Sequence, residues 1–302
     1  MVGYSSLIVG CKPAQLILTW PSARWILGEN DMQKIRSLRC LLITILALTS
    51  ANLAALAKEP PAASNQPARV EAILDRLEAR GQGLKDLRTK VIFVENDRVN
   101  LTTRVKTGEI LFWVTEPNPR FLVTFYKTEI DGVVGKREWY LFDGRWLYEG
   151  IERLEQVTQR EFAEPGERID FFDLETAPFP LPFGQKKESI LRNFSVTLAE
   201  PAATDPANTD HLICIPKPDG AFYRKYDQLE FFVQREVDLP VRIVVTKNDR
   251  MEINTAEFPG LTRKSINSGV DEDDLEQPKE WKKYKRVVEG PGPSVERPGQ
   301  KP

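Results

Sequence analysis

From Leu84 to Asn267 apolar and polar residues alternate with a period of two, run after run, and strand–helix–strand alternation never sets in. Runs at 91–94, 110–114, 121–125, 139–142, 145–148, 153–162, 194–198, 211–215, 228–234, 241–246 and 251–258 make about ten strands, with polar or Gly/Pro turns between them. Asp143-Gly144 between two such runs has the chemistry of a type I′ hairpin turn. A parallel doubly wound sheet needs helices between its strands, so this pattern excludes one and predicts a large antiparallel meander. So many strands do not stay flat; the sheet must curl or split into two layers.

The segments outside the alternation have other periods. Over 67–80 the apolar residues Val70, Ile73, Leu74 and Leu77 recur at helical spacing, with Pro67 at the start and Gly81 and Gly83 at the end. This predicts a helix with one apolar stripe, available as a lid for a concave sheet face. Residues 178–184 carry three prolines, which forbid regular pairing. They predict a crossover, with a short second helix over 185–194. After Asn267 the apolar signal ends; an acidic cluster at 271–274, a basic one at 282–286 and a Pro/Gly-rich end predict a disordered tail over 268–302.

The N-terminal part predicts export. Lys34, Arg36 and Arg39 precede an apolar run at 40–48, and Ala55-Leu56-Ala57 fits the signal-peptidase rule with cleavage after Ala57. Residues 32–57 read as a signal peptide, 1–31 as an over-extended start, 58–66 as a linker and 67–267 as the domain. The expected compartment is the periplasm. Cleavage leaves Cys214 as the one cysteine of the mature chain, so no intramolecular disulfide is expected.

Composition narrows the chemistry. The formal net charge of −2 removes the electrostatic case for nucleic acid, and a single histidine with three cysteines leaves little for a His/Cys metal site or a Cys–His nucleophile pair. His211 reads as a strand-edge residue and Cys214 as a small core residue. Asp143, Asp170, Asp173 and Glu175 are the carboxylates from which a hydrolase would draw an acid/base pair, but Asp143 is accounted for by its turn and the others lie near a loop. No catalytic residue, metal ligand or cofactor is expected. What the chain has in quantity is aromatic rings, many of them between Phe112 and Tyr148. Large rigid rings around a bent sheet leave gaps, and an apolar gap takes an apolar guest. The candidate lining is Leu74, Phe112, Trp113, Phe121, Val123, Phe125, Trp139, Leu141, Trp146, Tyr148 and Phe231. Several runs are apolar on both faces, so which parity points inward stays open.

The order of motifs resembles a known family. An amphipathic helix is followed by Leu84-Lys-Asp-Leu87, Gly108-Glu-Ile-Leu-Phe-Trp113, Pro117-Asn-Pro-Arg-Phe121, Tyr140-Leu-Phe-Asp-Gly144 with Trp146-Leu-Tyr148, a Pro/Phe-rich crossover and Leu239-Pro-Val-Arg-Ile-Val244. This order, over about residues 66–267, is similar to that of the LolA-type periplasmic carriers of outer-membrane lipoproteins. The resemblance implies a mainly β fold: a strongly curved antiparallel sheet, or incomplete β-barrel, closed by a few helices over a hydrophobic cavity. It also implies a monomeric carrier that takes an acylated lipoprotein or lipid from an inner-membrane release complex to an outer-membrane receptor. A lipid-sensing or adaptor module whose tail engages a partner is the alternative, and a carboxylate hydrolase the third reading.

Overall fold

The computed structural model describes residues 65–168, 183, 185–247 and 250–289. The expected start, the signal peptide, all but the end of the linker, most of the 178–184 crossover, Asp170, Asp173, Glu175 and positions 290–302 lie outside the described residues.

Helix α1 (Gln66–Gln82) opens the described chain, with Pro67 in its first turn, and buries Val70, Ile73, Leu74 and Leu77 as its spacing requires. Then come β1 (Asp86–Asp97), β2 (Thr102–Trp113), β3 (Arg120–Ile130), β4 (Val133–Val134), β5 (Glu138–Phe142), β6 (Trp146–Ile151) and β7 (Gln156–Glu161). After the crossover follow α2 (Lys187–Asn193), β8 (Phe194–Leu198), β9 (Thr209–Pro216), β10 (Tyr226–Gln234), β11 (Leu239–Lys247), β12 (Glu252–Glu257) and β13 (Lys285–Glu289).

All thirteen strands belong to one sheet, in the order β13-β7-β6-β5-β3-β2-β1-β12-β11-β10-β9-β8, with β4 beside β3. The chain meanders outward from β1 to β7, crosses to the far edge, and meanders back until β12 pairs with β1. Every pairing is antiparallel except β13 on β7. The sheet is curved and unclosed, as expected from its width.

Its two faces bury different things. Leu87, Phe112, Phe121 and Phe142 are in register across β1, β2, β3 and β5, and all join one inner cluster with the stripe of α1. One residue along, Leu111, Leu122, Leu141 and Tyr148 are likewise in register and form a second cluster on the opposite face.

What covers that outer face corrects the expected tail. Residues 268–289 are ordered: Val270, Leu275 and Trp281 are buried against Leu111, Leu122, Trp139, Leu141, Tyr148 and Val157, and β13 extends the sheet. The packed fold therefore continues past Asn267 and includes β13. The Asp86 carboxylate fixes the start of this strap, its Oδ1 accepting from Ser268 N–H at 2.6 Å, Gly269 N–H at 3.0 Å and the Ser268 hydroxyl at 3.0 Å. Arg88–Asp274, Arg120–Glu272 and Arg137–Glu280 pin its length at 2.7 to 2.9 Å. The hairpin expectation also shifts. Asp143 N–H donates to the Trp146 carbonyl at 3.2 Å, and the left-handed residue is Gly144, at φ 100°, so the central pair is Gly144-Arg145. A type I′ pattern, with positive φ at both central residues, occurs instead at Asp131-Gly132 between β3 and β4.

Candidate functional site

The inner cluster is the place where an apolar guest would have to go. Of the expected lining, the structure brings together Leu74 from α1, Phe112 from β2, Phe121, Val123 and Phe125 from β3, and Phe231 from β10. Trp139, Leu141 and Tyr148 belong to the outer cluster under the strap, and Trp113 and Trp146 pack half-buried against that same cluster. These five do not face the interior. The reason is parity: β2, β3, β5 and β6 are covered on both faces, so alternation in sequence does not distinguish inward from outward.

The expected lining leaves out Phe142, Phe183, Phe194 and Phe258, which are inner residues too. Phe142 stacks on Phe121 with ring centroids 5.8 Å apart, and Phe183 meets Phe258 edge-on at 5.0 Å. The signal for Phe142 was its two-residue spacing from Tyr140, which also points inward. Phe183 lies in the crossover, where periodicity is silent, and Phe258 ends the run 251–258 just beyond β12.

Phe112, Phe121 and Phe142 are at most 1% exposed, shut off from solvent together with the stripe of α1. Polar contacts hold the helix shut from its outer side. Arg76 bridges Asp210 at 3.0 Å and Asp238 at 2.9 Å, Arg235 braces Asp210 at 2.8 Å, and Lys187 of α2 reaches Asp75 at 2.8 Å. Gln66 donates to the Leu198 carbonyl at 3.1 Å. Arg76, Lys187 and Gln66 are only part-buried or exposed, so these contacts are individually weak.

Along β2 the inward positions run Phe112, Ile110, Gly108, Lys106, Arg104, passing from apolar to charged. Lys106 pairs with Glu138 at 2.9 Å and lies over the Phe125 and Tyr140 rings, while Arg104 pairs with Glu95 at 3.2 Å. Burial, then Glu149 and Glu138, push the Tyr140 hydroxyl far above its ordinary range, so it stays protonated. The inner face thus has an apolar end under α1 and a charged belt toward the β1–β2 hairpin.

His211 and Cys214 behave as ordinary structural residues. The His211 ring stacks on Phe232 at 4.0 Å with Nε2 2.8 Å from Glu230, and burial pushes the Cys214 thiol up to about 12. Among the described residues no group of three or more His, Cys, Asp or Glu side chains is placed to hold a metal ion, and no helix is long and apolar enough to cross a membrane.

No family model matches the chain, and no curated protein matches it. Solved structures similar to it include MucB, at 16% identity and TM-score 0.39 over 70% of this chain; the match takes in 64% of MucB, less than two thirds of that protein's length. MucB is also seen in the Pseudomonas aeruginosa MucA/MucB complex. LprF from Mycobacterium bovis is similar at 11% identity and TM-score 0.39, over 70% of this chain and 97% of LprF. The LolA superfamily protein NE2245 from Nitrosomonas europaea is similar at 10% identity and TM-score 0.33, over 68% of this chain and 97% of that one.

Proposed function

We propose that this chain is a binding protein of the cell envelope that shelters acyl chains between α1 and the inner face of its sheet. The observation that carries the reading is the single continuous apolar cluster shared by α1, α2 and both halves of the sheet. Binding exchanges one apolar partner for another. Exposing the stripe Val70, Ile73, Leu74 and Leu77 costs roughly 1.5–3 kcal/mol per residue, about 6–12 kcal/mol in all. A guest chain regains about 0.8 kcal/mol per buried methylene, so some 8–15 methylenes offset the opened helix. The two are close enough in size for uptake and release to be reversible, which a carrier needs. The cargo is an acylated lipoprotein or lipid. The expected signal peptide and the motif order support a periplasmic carrier working between an inner-membrane release complex and an outer-membrane receptor. In the adaptor alternative the tail hooks a partner, although Val270, Leu275 and Trp281 of that tail pack on the chain's own outer face.

The test is a reversible lock. Cysteines placed at Arg76 and Asp210 are joined by a bismaleimide with a cleavable disulfide spacer, and uptake of a fluorescent fatty acid is measured before and after reduction. Uptake should be lost on joining and restored on cleavage. Trp113→Ala and Trp146→Ala, on the outer face, should leave it unchanged. Uptake indifferent to the lock, or protein purified from the envelope that neither carries nor takes up acyl chains, overturns the proposal.

A further inference from the structure

Strand β13 ends the sheet, and among the described residues no strand pairs with its far edge. Lys285, Arg286, Val288 and Glu289 are exposed there, Val288 by 64%. An open edge of this kind is a template for another strand. Bulges and prolines spoil such a template, but β13 follows β7 from Lys285 to Glu289 without a register shift and holds no proline. Edge lysines and arginines ordinarily repel an added strand. In one register they do the opposite here.

A single contact fixes which way the backbone faces. Lys285 N–H donates to the Glu155 carbonyl at 2.8 Å, on the β7 side. Successive residues of a strand alternate, so Val287 and Glu289 also face β7, while Arg286 and Val288 present N–H and C=O at the open edge. Two such edges related by a two-fold axis through Val287 are in register. Arg286 of one copy then lies opposite Val288 of the other as a pair that exchanges both hydrogen bonds, and the axis generates that pair twice.

The same register sets Lys285 opposite Glu289 of the second copy, also twice, with Val287 opposite Val287 between them. Both charged groups are available. Lys285 has no carboxylate partner among the described residues. Arg160 donates to Glu289 at Oε2 alone, from Nε at 2.8 Å and from Nη2, so Oε1 is open to a second cation. Arg286 is engaged on its own strap, donating to Gln277 at 2.8 Å. Moving the axis by one residue loses the match: through Arg286 it sets arginine against arginine, and through Val288 it sets Glu289 against Val287. The edge is complementary to itself, which favours a second copy over an unrelated strand as its occupant.

We propose that two copies of this chain pair antiparallel through β13 and join their sheets edge to edge. This departs from the monomer that the motif order implies. The joint lies at the opposite end of the sheet from β8, against which α1 packs, so it stands whether or not the interior takes up acyl chains.

The test is sedimentation of the full chain, purified after the host's own processing, over roughly 3–300 µM, because strands this short make an interface at the weak end of the range. The parent should pass reversibly from monomer to dimer. Val288→Pro removes an N–H that faces the open edge and not β7, so it should weaken the dimer about tenfold or more and leave the urea midpoint unchanged. Lys285→Glu and Glu289→Lys each set like charges opposite one another twice, and each should weaken self-association about tenfold. An equimolar mixture of these two variants should regain the parent's affinity, because every cross-pair of the mixed dimer is again of opposite sign. Amide exchange at Val287, whose N–H faces β7, should be equally slow in all forms and reads β13 in place. A parent still monomeric at about 300 µM overturns the proposal and leaves the edge to an extended segment of another protein. A dimer that Val288→Pro leaves intact, or a mixture that stays monomeric, overturns it too, since the copies then meet elsewhere or in another register.

Discussion

Replacing Trp281 by alanine tests whether the strap is part of the fold or an appendage to it. The indole is 1% exposed, edge-on to Trp139 at 6.3 Å and tilted on Tyr148 at 6.1 Å. A buried tryptophan truncated to alanine costs about 3–5 kcal/mol, aromatic contacts included. Part of this is returned, because the indole Nε1 is buried without a hydrogen-bond partner and its removal relieves a penalty of about 1–3 kcal/mol. The net expectation is about 2 kcal/mol, read as a lower urea midpoint at unchanged slope, or a melting temperature lower by roughly 4–8 °C. Trp281→Phe keeps most of the area and loses the orphan N–H, so it should cost under about 1.5 kcal/mol. Gly150 supplies the second arm. A Cβ there would lie 2.5 Å from Trp281 Nε1, so Gly150→Ala should cost about 1–3 kcal/mol alone and almost nothing when Trp281 is already alanine. A Trp281→Ala midpoint within about 0.5 kcal/mol of the parent, or a Gly150→Ala cost that is the same in both backgrounds, refutes the packing assigned to the strap.

Asp86 is buried and one of its oxygens satisfies three donors at the strap's entry, so Asp86→Ala should destabilise by about 2–3 kcal/mol, with Asp86→Asn recovering part; amide exchange at Ser268 and Gly269 reports it directly. Burial pushes the Cys214 thiol up to about 12, above an unfolded value near 8.5, so the folded state keeps its proton longer. The resulting stability is complete below about pH 8.5 and declines by up to about 1.4 kcal/mol per pH unit as pH rises toward 12. Tyr148, pushed up to about 12 chiefly by burial, acts in the same direction. Cys214→Ala should flatten part of this alkaline limb, and alkylation of Cys214 at mildly alkaline pH should proceed no faster than global unfolding.

How much was legible before the structure depends on how many wet faces an element has. Helix α1 has one dry stripe and one solvated side, and its four buried residues were read directly from spacing. Strand β8 was read to its end residues because charged and proline-rich segments flank it. In β2, Ile110 and Phe112 enter the inner cluster while Leu111 between them enters the outer one. A strand dry on both sides carries no period, so six of the eleven residues expected to line the interior fall in the inner cluster and five against the outer one. The strap was invisible for a related reason. Val270, Leu275 and Trp281 are few, unevenly spaced and set among charges, which is the composition of a solvated tail. They bury because the sheet offers them an apolar outer face that local sequence does not show. The β13–β7 pair joins residues far apart in the chain, which no local pattern encodes.

That two-faced character makes the charged belt informative. Lys106 has the same parity as Ile110 and Phe112 and so points into the bent sheet, with its side chain 8% exposed against 21% for Glu138. Two charges taken this far from water return little net stability as a pair, yet leaving one alone is costly. Lys106→Met should therefore destabilise by about 2–3 kcal/mol, less than for a fully buried pair because Glu138 retains some water. Lys106→Met combined with Glu138→Leu should return most of the loss, since Phe125 and Tyr140 already supply apolar neighbours for both replacements. The double variant also extends the apolar interior toward the hairpin tips. Fatty acids too long for the parent should then bind more tightly, with short ones unaffected. If the double variant is no more stable than Lys106→Met alone, the two charges do not act as a pair. If it is stable but chain-length preference is unchanged, the belt does not bound the acyl site.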